Sequence, residues 1–235
     1  MAKPMFDADA LIEMFSQATA KQGAQLQGAV SQATLAALKG RELTLKNIKA
    51  ALKSVSEAAS AGAARNALPG VDPEVLLDRA VAGMDQALLK AVEANRMALS
   101  TLVAQGADMR DKHLQKAIDD LDKMEDAMFA ALKKAAGSAS APVAGAWGHV
   151  LEKMQAGGTM SGTQAAQTVE QMAEQMAEQM QGAMRSTRAA SMKAAQALAE
   201  SYTSMVSGVL LGLSEAMGGA SAPAPAPRSG RGAGK

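Results

Sequence analysis

The chain has no cysteine, and its aromatic residues are limited to three Phe, one Tyr and one Trp. The first absence excludes disulfides, thiolate metal sites and a cysteine nucleophile. The second thins any conventional core, because aromatic side chains bury the most area each. An excess of one charge is missing too: 24 basic residues stand against 23 acidic ones, for a formal net charge of +1. A protein built to neutralise phosphates would carry surplus Lys and Arg, so nucleic-acid binding is not expected. Long apolar runs are also lacking. The longest, Met205 to Leu213, is interrupted by Ser207, Gly208 and Gly212, and it falls far short of the roughly 20 residues that span a bilayer. Asp7, Asp9 and Glu13 occupy the place where a signal peptide would need an apolar run. A cytoplasmic protein with no transmembrane segment is the expectation.

Chemical motifs are equally sparse. The two histidines, His113 and His149, lie far apart and in no metal-binding spacing. Incidental surface or core positions account for them more simply than a ligand or base role. Glycine-rich pieces occur, but none follows a predicted strand, so a phosphate loop lacks its context. Asp119, Asp120, Asp122, Glu125 and Asp126 crowd one region among Lys116, Lys123, Lys133 and Lys134. Helical pairs such as Asp119–Lys123 and Asp120–Lys123 explain that crowding without a bound cation. No catalytic, cofactor-binding or metal-ligating residue is assigned, no cofactor is implied, and a non-enzymatic protein is expected.

What the chain does have is Ala, Met, Gln, Ser, Lys and Glu in helical rhythm. Leu11, Phe15, Ala18, Leu26 and Val30 share a stripe, with polar Gln22 interposed. Leu45, Ile48, Leu52, Val55 and Ala59 step by threes and fours without a gap. Gly40, where these series change phase, is either a bend or a tolerated glycine. Pro69 and Gly70 stop the pattern, and Asp72-Pro73-Glu74 restarts it with a capping carboxylate, a proline at the first helical position and an acid in the first turn. Leu77, Val81, Met84, Leu88, Ala91, Asn95, Leu99 and Leu102 then keep a near-heptad spacing, resumed by Leu114, Ile118, Leu121, Met128 and Leu132. Gly106-Ala107-Asp108 disturbs that rhythm without being expected to end the helix.

The pattern predicts an all-α protein, an elongated antiparallel bundle or coiled coil of three long amphipathic helices. Residues 1–136 form a long helical hairpin, with helices over about 7–64 and 73–136. Residues 137–160 form a linker containing a short helix around Trp147 to Gln155. The third long helix covers 161–217, opened by a Ser161-x-x-Gln164 capping box. Each long helix would extend on the order of 85–95 Å at about 1.5 Å per residue. Residues 218–235 form an Ala/Pro/Gly tail made basic by Arg228, Arg231 and Lys235, and its composition predicts disorder.

Two surface features stand out. Met172, Met176, Met180 and Met184 recur every four residues, so successive side chains drift by roughly 40° around the helix. Such a slewing stripe suits a broad contact face, although methionine also fills loose cores. With Val209, Leu210 and Leu213 these are the candidate surface-contact residues. Lys46, Lys49 and Lys53 flank the Leu45/Ile48/Leu52 stripe and form a candidate basic flank, either for an anionic surface or simply for solvent.

The run Asp9-Ala-Leu-Ile-Glu-Met-Phe-Ser-Gln-Ala-Thr-Ala-Lys-Gln-Gly-Ala-Gln25 resembles the N-termini of phasins, the coat proteins of bacterial polyhydroxyalkanoate granules. The Ala/Gln/Met/Ser-rich helices, the scarcity of aromatics and the Ala-Pro basic tail are similar as well. The block Leu38-Lys-Gly-Arg-Glu-Leu-Thr-Leu-Lys-Asn-Ile-Lys49 also resembles a proteobacterial all-helical family of unknown function. The phasin resemblance implies a granule-associated coat or scaffold binding a hydrophobic polymer or lipid surface, and forming a homo-oligomer. The alternative is a self-associating structural coiled coil with a protein partner. Helices that reopen would suit a coat, and seams that lock would suit a scaffold.

Overall fold

A computed structural model describes residues 7–39, 44–105, 112–183 and 201–211, with backbone alone at 20, 113, 142 and 176–183. The described residues are helical with turns between, as the periodicity predicts, and the helices share one apolar core.

The first helix, α1 (Ala8–Ser16), starts where the Asp7 carboxylate accepts the Ala10 N–H at 3.0 Å, and it buries Leu11 and Phe15. It does not continue. A Thr19/Gln22 capping box opens a 3₁₀ turn over Ala20–Gln22, and α2 (Gly23–Leu38) follows on a new course. After a further break comes α3 (Leu45–Arg65), whose first turn is capped by Thr44. The single helix expected over 7–64 is therefore three. The pieces part company because each has a different partner: α1 lies on α3, while α2 lies on α4.

Helix α4 (Pro73–Ala104) begins at the Asp72-Pro73-Glu74 signal, with the Asp72 carboxylate accepting the Glu74 N–H at 2.8 Å. With 32 residues it is the longest described helix, about 48 Å by the usual rise. The helix expected to run from 73 to 136 ends at Ala104, and α5 (Lys112–Asp122) and α6 (Met124–Ser138) carry the later Leu/Met pattern. Again the partners differ, since α5 faces α8 and α6 faces α3 and α7.

The linker expected over 137–160 is mostly helix. In α7 (Ala141–Gly157), Pro142 sits in the first turn, where its missing N–H has no helical partner to lose. The third helix, α8 (Met160–Ala183), starts with Thr159 accepting the Gly162 N–H at 2.9 Å, two residues before the expected Ser161 cap. Residues 201–211 are helical as well. The continuity of the third helix between 184 and 200, and the tail from 218, lie outside the described residues.

The core holds the predicted stripes. Phe15, Leu26, Val30, Ile48, Leu52, Val55, Leu77, Met84, Leu88, Leu99, Leu121, Met128 and Leu132 are all buried. Alanine fills much of the remainder and lets helices approach closely. Two glycines mark the tightest crossings. A Cβ on Gly62 would stand 2.4 Å from the Phe15 Cβ and 2.6 Å from the Ile12 carbonyl oxygen, and one on Gly83 would stand 2.5 Å from the Gln27 carbonyl oxygen. Any larger residue would push α1 off α3 or α2 off α4.

Candidate functional site

Where chemistry would need convergent polar groups, the described structure offers apolar or structural ones. A shallow cleft of about 370 Å³ between α6 and α7 is lined by Phe129, Ala130, Lys133, Leu151 and Gln155. A groove of about 270 Å³ between α1 and α2 runs past Leu11, Met14 and Ala33, with Asp7 and Gln32 contributing polar atoms. Among the described residues no group of three His, Asp or Glu side chains is arranged to hold a metal. His149 is exposed on α7. Asp120 pairs with Lys116 at 2.6 Å, in place of the expected Lys123.

The distinctive polar cluster lies at the start of α8. There Asp85, buried on α4, accepts the Met160 N–H at 3.0 Å and the Ser161 N–H at 2.9 Å. Glu125, from the first turn of α6, accepts both the Thr159 N–H at 2.9 Å and the Thr159 hydroxyl at 2.8 Å. A helix start carries unsatisfied N–H groups and partial positive charge, so two carboxylates from other helices both complete its hydrogen bonding and offset its dipole. Gly158, at φ +66°, turns the chain just before this junction in a conformation that costs glycine little.

More polar contacts fasten the same side of the bundle. The Lys153 ammonium on α7 reaches Glu74 at 2.5 Å and Asp78 at 2.8 Å on α4. Hydrogen bonds that its ammonium donates to Asp78, and then to Glu74, hold the Lys153 pKa above the ordinary lysine range. The buried Trp147 indole N–H donates to the Ser60 hydroxyl at 2.9 Å, and the Tyr202 hydroxyl donates to Asn95, buried on α4.

The candidate contact residues divide. Met172 is buried against the core, Leu210 is buried and Val209 is half-buried. The side chains of Met176 and Met180, and all of Met184 and Leu213, lie outside the described residues. Along the described part of α8 the inward stripe is Ser161, Ala165, Thr168 and Met172, half of it polar, with Val169 half-buried beside it. Lys46, Lys49 and Lys53 are exposed on α3, with Lys53 3.6 Å from Glu57. Asp85 was not singled out by sequence, and Glu125 was read only as one of a crowd of acids paired with lysines. Their signal was a carboxylate beside an apolar seam, and their partner lies some 75 and 34 residues away.

No described helix is long and apolar enough to cross a membrane. No curated protein and no solved structure matches the chain. Its residues 1–219 match a family of unknown function, DUF6781, and the chain belongs to that family.

Proposed function

We propose that the protein is a non-enzymatic amphipathic coat, cytoplasmic and granule-associated, that lays helical apolar faces on polyhydroxyalkanoate granules or a similar hydrophobic body. The observation that carries this reading is the way α8 is held. Its inward stripe of Ser161, Ala165, Thr168 and Met172 is half polar, so its attachment draws on the polar junction at its start as well as on apolar contact. Apolar burial contributes roughly 25 cal/mol per Å². A hydrophobic surface can replace the apolar part of that attachment and can also cover the α4 and α5 faces uncovered as α8 leaves. In this reading the elongated antiparallel arrangement of long helices belongs to the opened coat, and copies associate side by side on the surface.

The rival, a structural coiled coil locked to a protein partner, is favoured by the buried Asn95 in the α4 seam, since a single polar position is a known device for fixing register.

Binding of the full chain to polyhydroxyalkanoate particles and lipid emulsions tests the coat. The wild type is expected to bind, and replacing Met172, Met176, Met180 and Met184 with Gln is expected to weaken binding while keeping helix propensity nearly constant. A wild type that binds neither, yet forms a discrete salt-resistant oligomer, would give the scaffold reading the field.

A further inference from the structure

The end of the bundle formed by the α1–α2 and α3–α4 turns is built unlike an ordinary helix connection. Interhelical turns are usually polar. Here residues 67–71 read Ala-Leu-Pro-Gly-Val, and Ala67, Leu68, Pro69 and Gly70 are all exposed. Leu68 keeps 41% and the nearby Val75 keeps 44% of their surface in solvent. The Asn66 side chain donates to the Phe15 and Ala18 carbonyls, both at 2.9 Å, and so clamps this turn to the end of α1. A small cavity of about 70 Å³ shared by Thr19, Gly23, Gly70, Val75 and Arg79 brings both turns and the first turns of α4 together. The apolar tip is thus held rigidly by the fold.

Its charges are mixed, with a positive excess: Asp72, which lines that cavity beside Arg79, Glu74 and Asp78 stand against Lys21, Arg65, Arg79 and Lys153. Asp72 is engaged by the Glu74 N–H, and Glu74 and Asp78 are both engaged by Lys153. Three exposed cations surround the tip: Lys21 in the 3₁₀ turn, Arg65 at the end of α3 and Arg79 lying over Gly23. None of the three pairs with an acid among the described residues. An exposed apolar turn with three unpaired cations at the same end of the bundle matches a phospholipid interface, where apolar side chains enter the acyl boundary and cations meet phosphates.

We infer that this tip is a docking surface for an anionic phospholipid layer, with Leu68 and Val75 inserting and Lys21, Arg65 and Arg79 holding phosphate groups. The inference stands apart from the coat reading, because it uses neither α8 nor its methionines.

Co-sedimentation of the full chain with vesicles of equal parts phosphatidylcholine and phosphatidylglycerol tests it, with pure phosphatidylcholine vesicles for comparison. Each surface cation is worth about fivefold in binding near an anionic membrane, so K21E/R65E/R79E, which removes three cations and adds three acids, is expected to bind more weakly by at least roughly a hundredfold. L68S/V75S should also lose binding, with circular dichroism checking that the helices are retained. K46E/K49E/K53E and the four-methionine variant should bind the mixed vesicles like the wild type. Since the chain has no cysteine, a dye on Leu68→Cys is expected to shift to the blue on mixed vesicles, while one on Ser54→Cys is not. Equal binding by K21E/R65E/R79E and wild type, loss of binding in K46E/K49E/K53E instead, equal binding to both vesicle types, or no binding to either would overturn the inference.

Discussion

Where α2 crosses α4, there is no room for one additional carbon: a Cβ on Gly83 would meet the Gln27 carbonyl at 2.5 Å. Where α8 meets the same helix, the contact consists of carboxylate oxygens on backbone N–H groups and a stripe of small residues. The α1–α4 side is joined by close apolar contact, which is short-ranged, indifferent to salt and intolerant of volume. The α7–α8 side also buries apolar groups, Val143, Trp147, Val150, Met154, Ala165 and Met172, and adds named polar pairs, Lys153 with Glu74 and Asp78, Trp147 with Ser60, Glu125 with Thr159, and Asp85 with the start of α8. One body therefore joins a side held by close apolar crossings to a side whose apolar contacts are supplemented by polar pairs that can be removed one at a time. That contrast is why the coat reading places the opening at α8.

The largest effect that can break the contrast is at the glycine crossings. Gly83→Ala and Gly62→Ala each gain helix propensity, yet each must displace backbone across the crossing, and each is expected to lose about 2 kcal/mol. For a chain of this size that lowers Tm by roughly 4–8 °C. Urea unfolding of both variants measures it, and a rise in stability would mean that the helices are not held at close contact.

An intermediate effect is expected from Asp85→Ala, which strands the Met160 and Ser161 N–H groups and costs about 1–3 kcal/mol. Here the location is more telling than the size. Amide hydrogen exchange should quicken along α8 and stay slow in α2 and α4. Acceleration spread evenly over all helices would show that the two halves unfold as one.

The smallest effect belongs to Lys153→Met. Lys153 is exposed, and exposed ion pairs contribute little. Its folded pKa is raised, so its contribution is complete below the unfolded lysine value near about 10.4 and fades only as pH climbs through the higher folded value. The Tm difference between wild type and variant should be small and flat from about pH 6 to pH 9. A difference that changes across this interval would require another titrating group at the α7–α4 contact.

Much of the core was legible one helix at a time. Ile48, Leu52, Val55 and Ala59, and the α4 series from Leu77 to Leu102, are buried where their spacing places them. The Asp72-Pro73-Glu74 start was legible because all three residues act within one turn. Helix ends were harder. The Thr19/Gln22 box was present in the sequence but hidden inside a run of helix-forming Ala, Gln and Lys, so periodicity carried straight across it. Pro142 suggested a linker, although a proline in a first turn starts a helix as readily as it ends one.

By itself the sequence determined that the chain is helical, which faces of its helices are apolar and where the strongest cap lies, because these depend on residues within a turn or two of one another. Only the tertiary structure decided that α1 and α2 separate, that Asp85 and Glu125 complete the start of α8, and that Leu68, Val75 and three cations share one tip. Those outcomes depend on which apolar face finds which partner, and a helical stripe specifies that it must be buried without specifying against what.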